Sequence, residues 1–490
     1  MEIQKGKDLK EYFSTEEAYD AIEKIYDHSI GLIEENYSYI ANPDHKISEQ
    51  DKLTIKKLLE NDAVYPYIEF QIRPENLCAD PSIEYGVAQE PGDYGTTLTQ
   101  PRVFKQYLID QISQMIDHHK CGVYVGKSHV PIPLSFALET SLMSILPEKI
   151  QDIKEVFPSI NIKDIHDNVS NGVSRNKPGF YPLSLFSALR MDYSLGRLHH
   201  YTGTHPSHFQ NFILLTNYHR YIENFARYAL EVLGEEYTQF VEPGNHITHA
   251  DGSCEGTKAS HLPQMPAYHL KRPDGNGITF INIGVGPSNA KNITDNLAVL
   301  RPHCWIMLGH CAGLRRSQQL GDYVLAHGYV RHDHVLDSDL PPWVNIPALA
   351  EIQVSLQQAV SEVLDLYGGE LKTKLRTGTV LGTDNRNWEL QYDKIYETFQ
   401  QHRAIAVDME SATLAANGFR FRVPYGTLLC VSDKPLHGEI KLKATANSFY
   451  NDRIHEHLQI GLKTIEILRS LPSKDLHSRK LRGFEEPPFR

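Results

Sequence analysis

Two acidic residues stand where short apolar runs end, a position from which a carboxyl group can do chemistry. The run "YGTLLCV" (425–431) leads to Asp433, and "AIAVD" (404–408) leads to Glu410. A carboxyl group at a strand end can act as a general acid, or can accept two hydrogen bonds from a vicinal diol. Each residue also has an ordinary structural interpretation, because Asp433 could cap the turn at Pro435 and Glu410 could complement the N-terminus of a helix. Taken singly, each residue leaves both interpretations open.

A pair of glycines marks a third strand end. Gly284 and Gly286, in "NIGVGPSNAKN" (282–292), follow an apolar run and precede a helical pattern. Glycines at such a point let the backbone approach a ligand closely, and the N-terminus of the next helix favours an anion or hydroxyl groups. The pattern lacks the rest of a dinucleotide-binding fingerprint, so a plain tight turn is the alternative. The order of all three features along the chain, each at the end of a strand, favours a ligand site.

The elements that would position these residues alternate between strands and helices. Strand character is found at 277–286, 304–313, 322–331, 404–410 and 425–433, and helical patterns lie between several of these segments. This alternation predicts an α/β fold with a mostly parallel mixed sheet sandwiched by helices. Because such sheets bind small molecules at the carboxyl ends of their strands, we expect the three features to share one site.

The first part of the chain has a different order of helical and strand-like segments, which predicts an α+β domain. Helical segments alternate there with strand-like segments, and a polar stretch at 168–182 is the best linker candidate. We therefore predict an N-terminal α+β domain over 1–185, a catalytic domain over 186–475 and a charged, proline-containing tail over 476–490.

Length and composition describe a globular protein with more than one domain. The 490 residues are too many for one ordinary core, and 41% hydrophobic with 22% charged residues is a usual composition. The net charge of −12 includes no basic block, which argues against nucleic acid as a partner. No apolar signal core or membrane span is evident, so no membrane association is expected. The six scattered cysteines form no CxxC pair, and a reduced cytoplasm is the expected location.

The 25 histidines raise the question of a metal site. The clearest candidate is "RHDHVLD" (331–337), where His332 and His334 would point to the same face of a strand. No third ligand has convincing spacing, so a surface or subunit-contact role is the better interpretation and no metal site is predicted.

Four short motifs in a fixed order give the sequence a specific resemblance. They are Gly286-Pro287-Ser288, Gly309-His310-Cys311, Met409-Glu410 and Ser432-Asp433. As a set they resemble the nucleoside phosphorylase and nucleosidase superfamily, over roughly residues 210–470. The sequence is more closely similar to the AMP nucleosidases within it. That similarity is carried by "HYTGTHPSHFQNFILLTNYHRYIENF", "SDKPLHGEIK", "EHLQIGL", "TTLTQP" and the terminal "LHSRKLRGFEEPPFR".

The resemblance implies hydrolysis of AMP to adenine and ribose 5-phosphate. Asp433 would then be the general acid that protonates the imidazole ring of the purine, Glu410 would hold the ribose hydroxyls, and Met409 would pack against sugar or base. The turn at Gly284 and Gly286 would approach the same ligand. Departure of the base builds an oxocarbenium-like sugar and negative charge on the purine, which protonation offsets.

The sequence departs from the phosphorylase pattern where inorganic phosphate would bind. The Gly-Asp-Pro loop is absent, Met307 stands near the expected second arginine, and His310 replaces a serine. These differences argue against phosphorolysis and suit a water nucleophile, for which His310 is a candidate cradle. The candidates for binding the 5′-phosphate, some of which a neighbouring subunit could supply, are Arg315, Arg316, Thr202, Thr204, Asn217 and Arg220.

The resemblance also implies regulation and assembly. No cofactor is required, ATP with magnesium is the expected allosteric activator acting through residues 1–185, and phosphate is the expected inhibitor. A homohexamer built as a trimer of dimers is the implied assembly. Two other functions stay open, a purine nucleoside phosphorylase of the same fold and a non-catalytic adenylate-sensing protein. The presence of both Glu410 and Asp433 argues against the second.

Overall fold

The chain divides into two compact units. The first comprises Met1–Gly196 together with Gly483–Arg490, and the second comprises Arg197–Arg482. The predicted boundaries lay at 185–186 and 475–476, whereas here the last eight residues group with the first unit. The computed structural model describes residues 5–78, 80, 83, 85–138, 149–173, 178–234, 236–440, 443–476, 481–483 and 486–490. Parts of the predicted linker (174–177) and tail (477–480 and 484–485) lie outside the described residues.

The first unit is built on a five-stranded sheet, as far as the described residues go. Its strands are β1 (Lys7–Tyr12), β2 (Val64–Ile72), β3 (Gly92–Thr97), β4 (Val123–Pro131) and β5 (Phe180–Pro182). Its helices are α1 (Thr15–Ala41), α2 (Glu49–Asp62), α3 (Lys105–His119), α4 (Leu134–Ala137), α5 (Ile150–Val156) and the start of α6 (Ala188–Thr202). The strand order is β1-β4-β2-β3-β5, and only the β3–β5 pair is parallel. This confirms the α+β organisation predicted for the N-terminal part.

Helix α1 illustrates how the sequence specifies these elements. Ser14 accepts a hydrogen bond from the backbone N–H of Glu17 at 3.4 Å and so caps the helix. Ala18, Ile22 and Ile33 recur at helical spacing and are fully buried. Apolar periodicity therefore directs one face of the helix into the core of this unit.

The end of the chain is packed into the first unit rather than loose. Phe489 is fully buried, and its ring meets Phe70 and Tyr107 edge-on at centroid distances of 6.4 and 6.3 Å. The Phe489 N–H donates to Leu183 O at 3.0 Å, and the Tyr107 hydroxyl donates to Arg490 O at 2.9 Å. Aromatic burial and backbone pairing together make this segment part of the domain core.

The second unit contains a larger sheet. Its strands are β6 (Phe212–Thr216), β7 (Gln239–Glu242), β8 (His246–His249), β9 (Cys254–Glu255), β10 (Ala267–Lys271), β11 (Ile278–Asn282), β12 (Cys304–Gly313), β13 (Tyr323–His332), β14 (Leu375–Thr383), β15 (Ala406–Asp408) and β16 (Tyr425–Asp433). Its helices are α7 (His219–Glu231), α8 (Pro287–Leu297), α9 (Ala350–Leu364), α10 (Gly368–Lys374), α11 (Tyr392–His402), α12 (Ser411–Phe421), α13 (Lys443–Arg469) and α14 (Ser473–Leu476). Among the helices described in the two units, none is long and apolar enough to cross a membrane.

The sheet of the second unit closes partly on itself. The strand order is β15-β14-β13-β16-β12-β6-β11-β10-β7-β8-β9, and β12 also pairs with β15. Strand β6 is parallel to β11 and β12, β12 to β16, and β14 to β13 and β15. Five strands from β15 to β12 therefore form a closed barrel in this region, from which the other strands extend as an open sheet. A mixed sheet with a mostly parallel centre confirms the predicted fold class.

The strands with long apolar runs were predicted accurately, whereas one strand with a less apolar pattern was not. The segments 304–313 and 425–433 coincide with β12 and β16. Strand β14 was missed, since Gly378 and Gly382 interrupt its apolar pattern. A Cβ at either glycine would lie 2.6 Å from a side chain of its neighbours, Ile405 or Ala412, so tertiary packing requires both glycines.

Candidate active site

The predicted strand ends meet beside the end of strand β12. Ala312 pairs with Asp433 of β16 on one side and with Val407 of β15 on the other. Strand β6 lies against the first half of β12, and its last residue, Thr216, is opposite Asn282 at the end of β11. The loops that leave β6, β11, β15 and β16 therefore open onto one region. We refer to this region as the strand-end site, and its polar residues and turn are Asn217, Gly286, His310, Glu410 and Asp433.

Glu410 stands at the start of helix α12 with its side chain buried. Strand β15 ends at Asp408 and the helix begins at Ser411, so Glu410 occupies the helix N-cap position. The backbone N–H of Gly286 donates to Glu410 Oε1 at 2.6 Å, and Asn217 Nδ2 donates to Oε2 at 3.0 Å. Gly286 and Asn217 therefore hold one carboxylate oxygen each, and the carboxylate retains acceptor capacity for a ligand.

Asp408 shares this buried environment and influences the charge of Glu410. Asp408 Oδ2 accepts hydrogen bonds from the backbone N–H and the hydroxyl of Ser411, while its Oδ1 has no hydrogen-bond partner among the described residues. Burial and the adjacent Asp408 carboxylate raise the pKa of Glu410 to about 8. Burial raises the pKa of Asp408 to about 6. Two neighbouring buried carboxyl groups resist simultaneous ionisation, so this pair retains a proton at neutral pH.

Asp433 ends strand β16 next to a β-bulge. Cys311 of β12 pairs with Val431, but the next residue, Ala312, pairs with Asp433, so Ser432 is the extra residue of the bulge. Ser432 Oγ donates to Asp433 Oδ1 at 2.6 Å and lies 3.3 Å from Cys311 O. Because a bulge redirects the side chains around it, this local irregularity sets the direction of the half-buried Asp433 side chain.

The short loop after Asp433 is closed by the next residue. Lys434 Nζ pairs with Glu439 Oε1 at 2.6 Å, and the two backbones exchange hydrogen bonds of 2.7 and 3.2 Å. Lys434 is buried although it carries a charge. Lys434 therefore holds together the loop that follows Asp433, because its ammonium group forms an ion pair with Glu439.

The glycine turn after β11 presents a backbone donor to Glu410. Gly284 and Gly286 have φ values of +70° and +113°, which residues with a Cβ rarely adopt. Gly286 precedes α8, which begins at Pro287, so the turn leads directly into a helix. The predicted glycine motif thus contributes an N–H that contacts the carboxylate itself.

His310 lies on β12, the strand next to β6. Its ring meets Tyr218 edge-on at a centroid distance of 4.7 Å and lies 5.8 Å from the ring of Tyr221. The preceding residue, Gly309, faces Asn217, since a Cβ built on Gly309 would be 3.8 Å from Asn217 Oδ1. His310 therefore lies against two aromatic rings, and its neighbour Gly309 faces the amide of Asn217.

The structure does not bring two of the phosphate candidates to the strand-end site. Thr202 and Thr204 are fully buried, and the Thr202 hydroxyl donates to Leu198 O at 2.7 Å. Thr204 Oγ1 shares hydrogen bonds with Thr202 Oγ1 at 3.1 Å and with His269 Nε2 at 2.8 Å. Their assignment as phosphate ligands is not supported by this geometry, because both hydroxyls belong to an internal hydrogen-bond network.

The remaining candidates lie at or near the strand ends. Arg315 follows β12 and donates through Nη2 to Arg403 O at 2.8 Å, whereas Arg316 and Arg220 are exposed. A phosphate-binding role for these three arginines stays a prediction. Met409 is partly exposed between Asp408 and Glu410, and its contact with a ligand likewise stays a prediction.

Sequence reasoning assigned no role to Asp408. The pattern Asp-x-x-Ser ahead of a helix could have indicated a capping role. In the structure, Asp408 accepts a hydrogen bond from the backbone N–H of Ser411 at 2.9 Å, as a capping residue does. What local pattern could not show is that this acid is buried beside Glu410. The electrostatic coupling of the two carboxyl groups is a tertiary property.

Histidines do not assemble into a metal centre within the part of the chain that the structure describes. His, Cys, Asp and Glu side chains there form no group of three or more that could hold a metal ion. The rings of His332 and His334 are 5.2 Å apart, and His334 Nδ1 bonds to Asp337 Oδ2 at 2.8 Å. His334 therefore has a hydrogen-bond partner three residues along the chain.

Comparisons with known proteins agree with the fold and identify the family. Residues 17–181 match the family described as bacterial AMP nucleoside phosphorylase N-terminus, and residues 258–464 match the phosphorylase superfamily. The second unit is thus a phosphorylase-superfamily domain. The chain is also 49% identical over 414 residues to AMP nucleosidase of Escherichia coli K12, covering 83% of this chain and 85% of that protein. The chain belongs to the AMP nucleosidase family and is an enzyme of the nucleosidase class.

One more distant relative and two solved structures also show similarity to parts of the chain. A 5′-methylthioadenosine/S-adenosylhomocysteine nucleosidase of Desulfotalea psychrophila is 24% identical over 224 residues, which are 44% of this chain and 90% of that protein. A crystal structure of AMP nucleosidase from Bacteroides thetaiotaomicron is 28% identical, covers 57% of this chain and 98% of its own, and has a TM-score of 0.43. Purine nucleoside phosphorylase from Toxoplasma gondii is 14% identical, with coverages of 55% and 98% and a TM-score of 0.41.

Proposed function

We propose that the enzyme hydrolyses the N-glycosidic bond of AMP, giving adenine and ribose 5-phosphate. The observation that carries this proposal is the double anchoring of Glu410 by Gly286 and Asn217. With each carboxylate oxygen fixed by one donor, the free acceptor positions of the two oxygens form a pair that matches the two hydroxyls of a ribose diol. Membership of the AMP nucleosidase family supports the nucleotide as substrate.

Asp433 supplies the acid in this proposal. Its side chain leaves β16 at the bulge, and one carboxyl oxygen, Oδ1, contacts the Ser432 hydroxyl. The other oxygen can carry a proton to a purine ring nitrogen as the bond from C1′ to N9 lengthens. The base that leaves with the electron pair of that bond is then neutral adenine rather than an anion, and a positioned general acid of this kind contributes about 10²–10⁴-fold to the rate.

Glu410 stabilises the sugar during the same step. Its carboxylate accepts hydrogen bonds from the ribose hydroxyls and lies near the positive charge that develops on the ring. Binding of two hydroxyl donors favours the ionised form, which lowers the elevated pKa of Glu410 and releases the proton held by the buried pair. Substrate binding and ionisation of Glu410 are therefore coupled.

Product analysis tests the reaction. The purified protein is incubated with AMP, adenosine or inosine, with and without inorganic phosphate, and the bases and sugar phosphates are separated. Ribose 5-phosphate and adenine from AMP in phosphate-free buffer are the expected products. Products that form only when phosphate is added would instead identify a phosphorylase, and binding of AMP without turnover would identify an adenylate sensor.

Regulation, assembly and location complete the proposal and rest on the family resemblance. ATP with magnesium acts as allosteric activator through the N-terminal unit, and inorganic phosphate inhibits the enzyme. No cofactor takes part in catalysis. The enzyme is a homohexamer that serves purine salvage in the cytoplasm. Initial rates measured over a range of ATP-magnesium and phosphate concentrations test the regulation. Light scattering tests the assembly, and a monomer at working concentration would contradict it.

A further inference from the structure

The two polar atoms of the Asn217 side chain differ in their partners. Nδ2 donates to Glu410 Oε2 at 3.0 Å, whereas Oδ1 is buried and has no hydrogen-bond partner among the described residues. A buried acceptor left unpaired costs about 1–3 kcal/mol, and native proteins usually satisfy such atoms with water or a ligand. The Asn217 oxygen therefore marks the place of a hydrogen-bond donor in the strand-end site.

The chemistry of an amide oxygen restricts what that donor can be. An amide oxygen only accepts, and a phosphate dianion has no hydrogen to donate to it. Since Nδ2 is already bound to Glu410, Asn217 is poorly suited to the phosphate-binding role expected from the sequence. The ribose hydroxyls have stronger acceptors in the charged oxygens of Glu410. Water, the nucleophile that hydrolysis requires, can supply this donor.

The position of Asn217 suits a water molecule close to the sugar. Asn217 directly follows β6, and its Oδ1 faces Gly309 of β12. Through Nδ2 the same amide holds the carboxylate that would bind the ribose. A water bound to Oδ1 would thus be adjacent to the group that orients the sugar.

We propose that Asn217 positions the nucleophilic water, with Oδ1 accepting a hydrogen bond from the water while Nδ2 fixes Glu410. This inference rests on the proposed hydrolysis of AMP. The water oxygen forms a bond to C1′ as the bond to N9 breaks, and the electron pair of that bond leaves with the purine, which takes the proton of Asp433. The attacking water then loses a proton to solvent and Asp433 regains one. The net change is the addition of one water molecule to AMP.

Methanol competition distinguishes a water-positioning role from a structural one. In the presence of methanol, wild-type enzyme should give mainly ribose 5-phosphate, because the bound water is favoured over the alcohol. Asn217→Ala should lower kcat by about 10–100-fold and raise the fraction of methyl riboside 5-phosphate several-fold, since the nucleophile is no longer selected. Asn217→Leu, which preserves more of the side-chain volume, should behave alike and serves if the alanine variant folds poorly.

Two further variants separate the roles of the two amide atoms. Asn217→Asp keeps an acceptor but loses the donor and repels Glu410, so KM for AMP should rise while the product ratio in methanol stays close to that of wild type. Asn224→Ala is the matched control, because Asn224 lies on α7 and accepts from Arg227. It should leave kcat, KM and the product ratio unchanged.

The outcomes are distinguishable. An unchanged methanol fraction in both Asn217→Ala and Asn217→Leu, with KM raised, would overturn the inference and leave Asn217 only as a support of Glu410. A wild-type enzyme that releases no ribose 5-phosphate from AMP would instead overturn the proposed function, and the inference would fall with it. A higher methanol fraction in the alanine and leucine variants, but not in Asn217→Asp or Asn224→Ala, supports it.

Discussion

At the scale of single residues, ionisation is unfavourable for two buried carboxyl groups, one at the end of β15 and one just after it. Glu410 and Asp408 are both buried, and their pKa values are raised to about 8 and about 6. Burial of neighbouring acids opposes stability as pH rises, because the folded state binds the Glu410 proton more tightly than the unfolded chain does. Between the ordinary pKa of 4.5 and about 8, the unfolded state therefore becomes relatively more favourable. Hydrogen bonds from the substrate hydroxyls would stabilise the ionised form of Glu410 and so offset this cost.

Asp408→Asn should shift the pH dependence of substrate binding. In the wild type, KM for AMP should rise as pH falls below about 8, since a proton then competes with the ribose hydroxyls for Glu410. Removing the Asp408 charge lowers the pKa of Glu410, so the rise in KM should begin at lower pH, while Asn keeps the capping oxygen for Ser411. Steady-state kinetics from pH 5 to 9, on the order of one measurement per half unit, would resolve the shift.

Asp333→Asn is the control for this experiment. Asp333 raises the pKa of Asp408, whereas the causes that raise the pKa of Glu410 are burial and Asp408. The KM profile of Asp333→Asn should therefore stay much closer to that of wild type. Identical profiles for wild type and Asp408→Asn would contradict electrostatic coupling between Asp408 and Glu410.

Asp433→Asn should remove turnover while retaining substrate binding. Asparagine has nearly the same shape but cannot deliver the proton, so kcat should fall by about 10²–10⁴-fold. Binding of AMP, measured by calorimetry, should change by less than about threefold because the ribose contacts of Glu410 persist. Near-normal turnover in this variant would exclude Asp433 as the general acid.

At the scale of elements, irregular backbone segments position the side chains of Asp433 and Glu410. The β-bulge at Ser432 turns Asp433 at the end of β16, and the pairing of Lys434 with Glu439 closes the loop that follows. After β11, the turn through Gly286 directs an N–H at Glu410. The bulge lies within β16 and the other two features follow strand ends, so the regular strands serve as a rigid frame for these irregular segments.

Gly286→Ala tests the turn. A Cβ at this position meets nothing within 4 Å, but the φ of +113° is strained for any residue with a Cβ. The variant should lose about 1–3 kcal/mol of stability or shift its backbone, and the N–H would then leave Glu410. KM for AMP should rise, as measured by steady-state kinetics.

Gly196→Ala provides the matched control for the glycine test. Gly196 lies within helix α6, a Cβ there also meets nothing within 4 Å, and its φ is not positive. This substitution should raise stability by about 0.5–1 kcal/mol and leave KM unchanged. Equal KM values for the two alanine variants would argue against a function for the turn.

At the scale of the whole molecule, the chain is organised as two units with separate cores. The first unit includes both ends of the chain, because Gly483–Arg490 packs there. Gly86 N–H donates to Pro488 O at 2.9 Å, and the ring of Phe489 fills a site formed by Phe70 and Tyr107. A C-terminal truncation therefore removes part of the core of the N-terminal unit.

Phe489→Ala should destabilise the first unit by about 3–5 kcal/mol, since it deletes a fully buried aromatic side chain. Hydrogen exchange should then accelerate in β2 and α3, which supply the contacts of the ring. Phe13→Ala is the control, because Phe13 belongs to the same unit and is 70% exposed. Equal exchange rates in the two variants would show that the tail does not contribute to this core.

The sequence by itself determined the class of fold, the main apolar strands and the motifs that carry the family resemblance. These features depend on apolar periodicity and residue type within short segments, which is why β12 and β16 were located correctly. The same local signals located Glu410 and Asp433 at strand ends. They gave no sign that Thr202 and Thr204, two of the phosphate candidates, belong to a buried hydrogen-bond network.

Only the tertiary structure decided how those strand ends form a site. Asn217 and Gly286 contact Glu410 across 193 and 124 positions of the chain, and such contacts follow from strand order rather than from local pattern. The raised pKa of Glu410 likewise needs burial beside Asp408. Local sequence specifies which face of an element is apolar, but long-range packing determines which polar atoms are enclosed together, and that enclosure gives these side chains their chemistry.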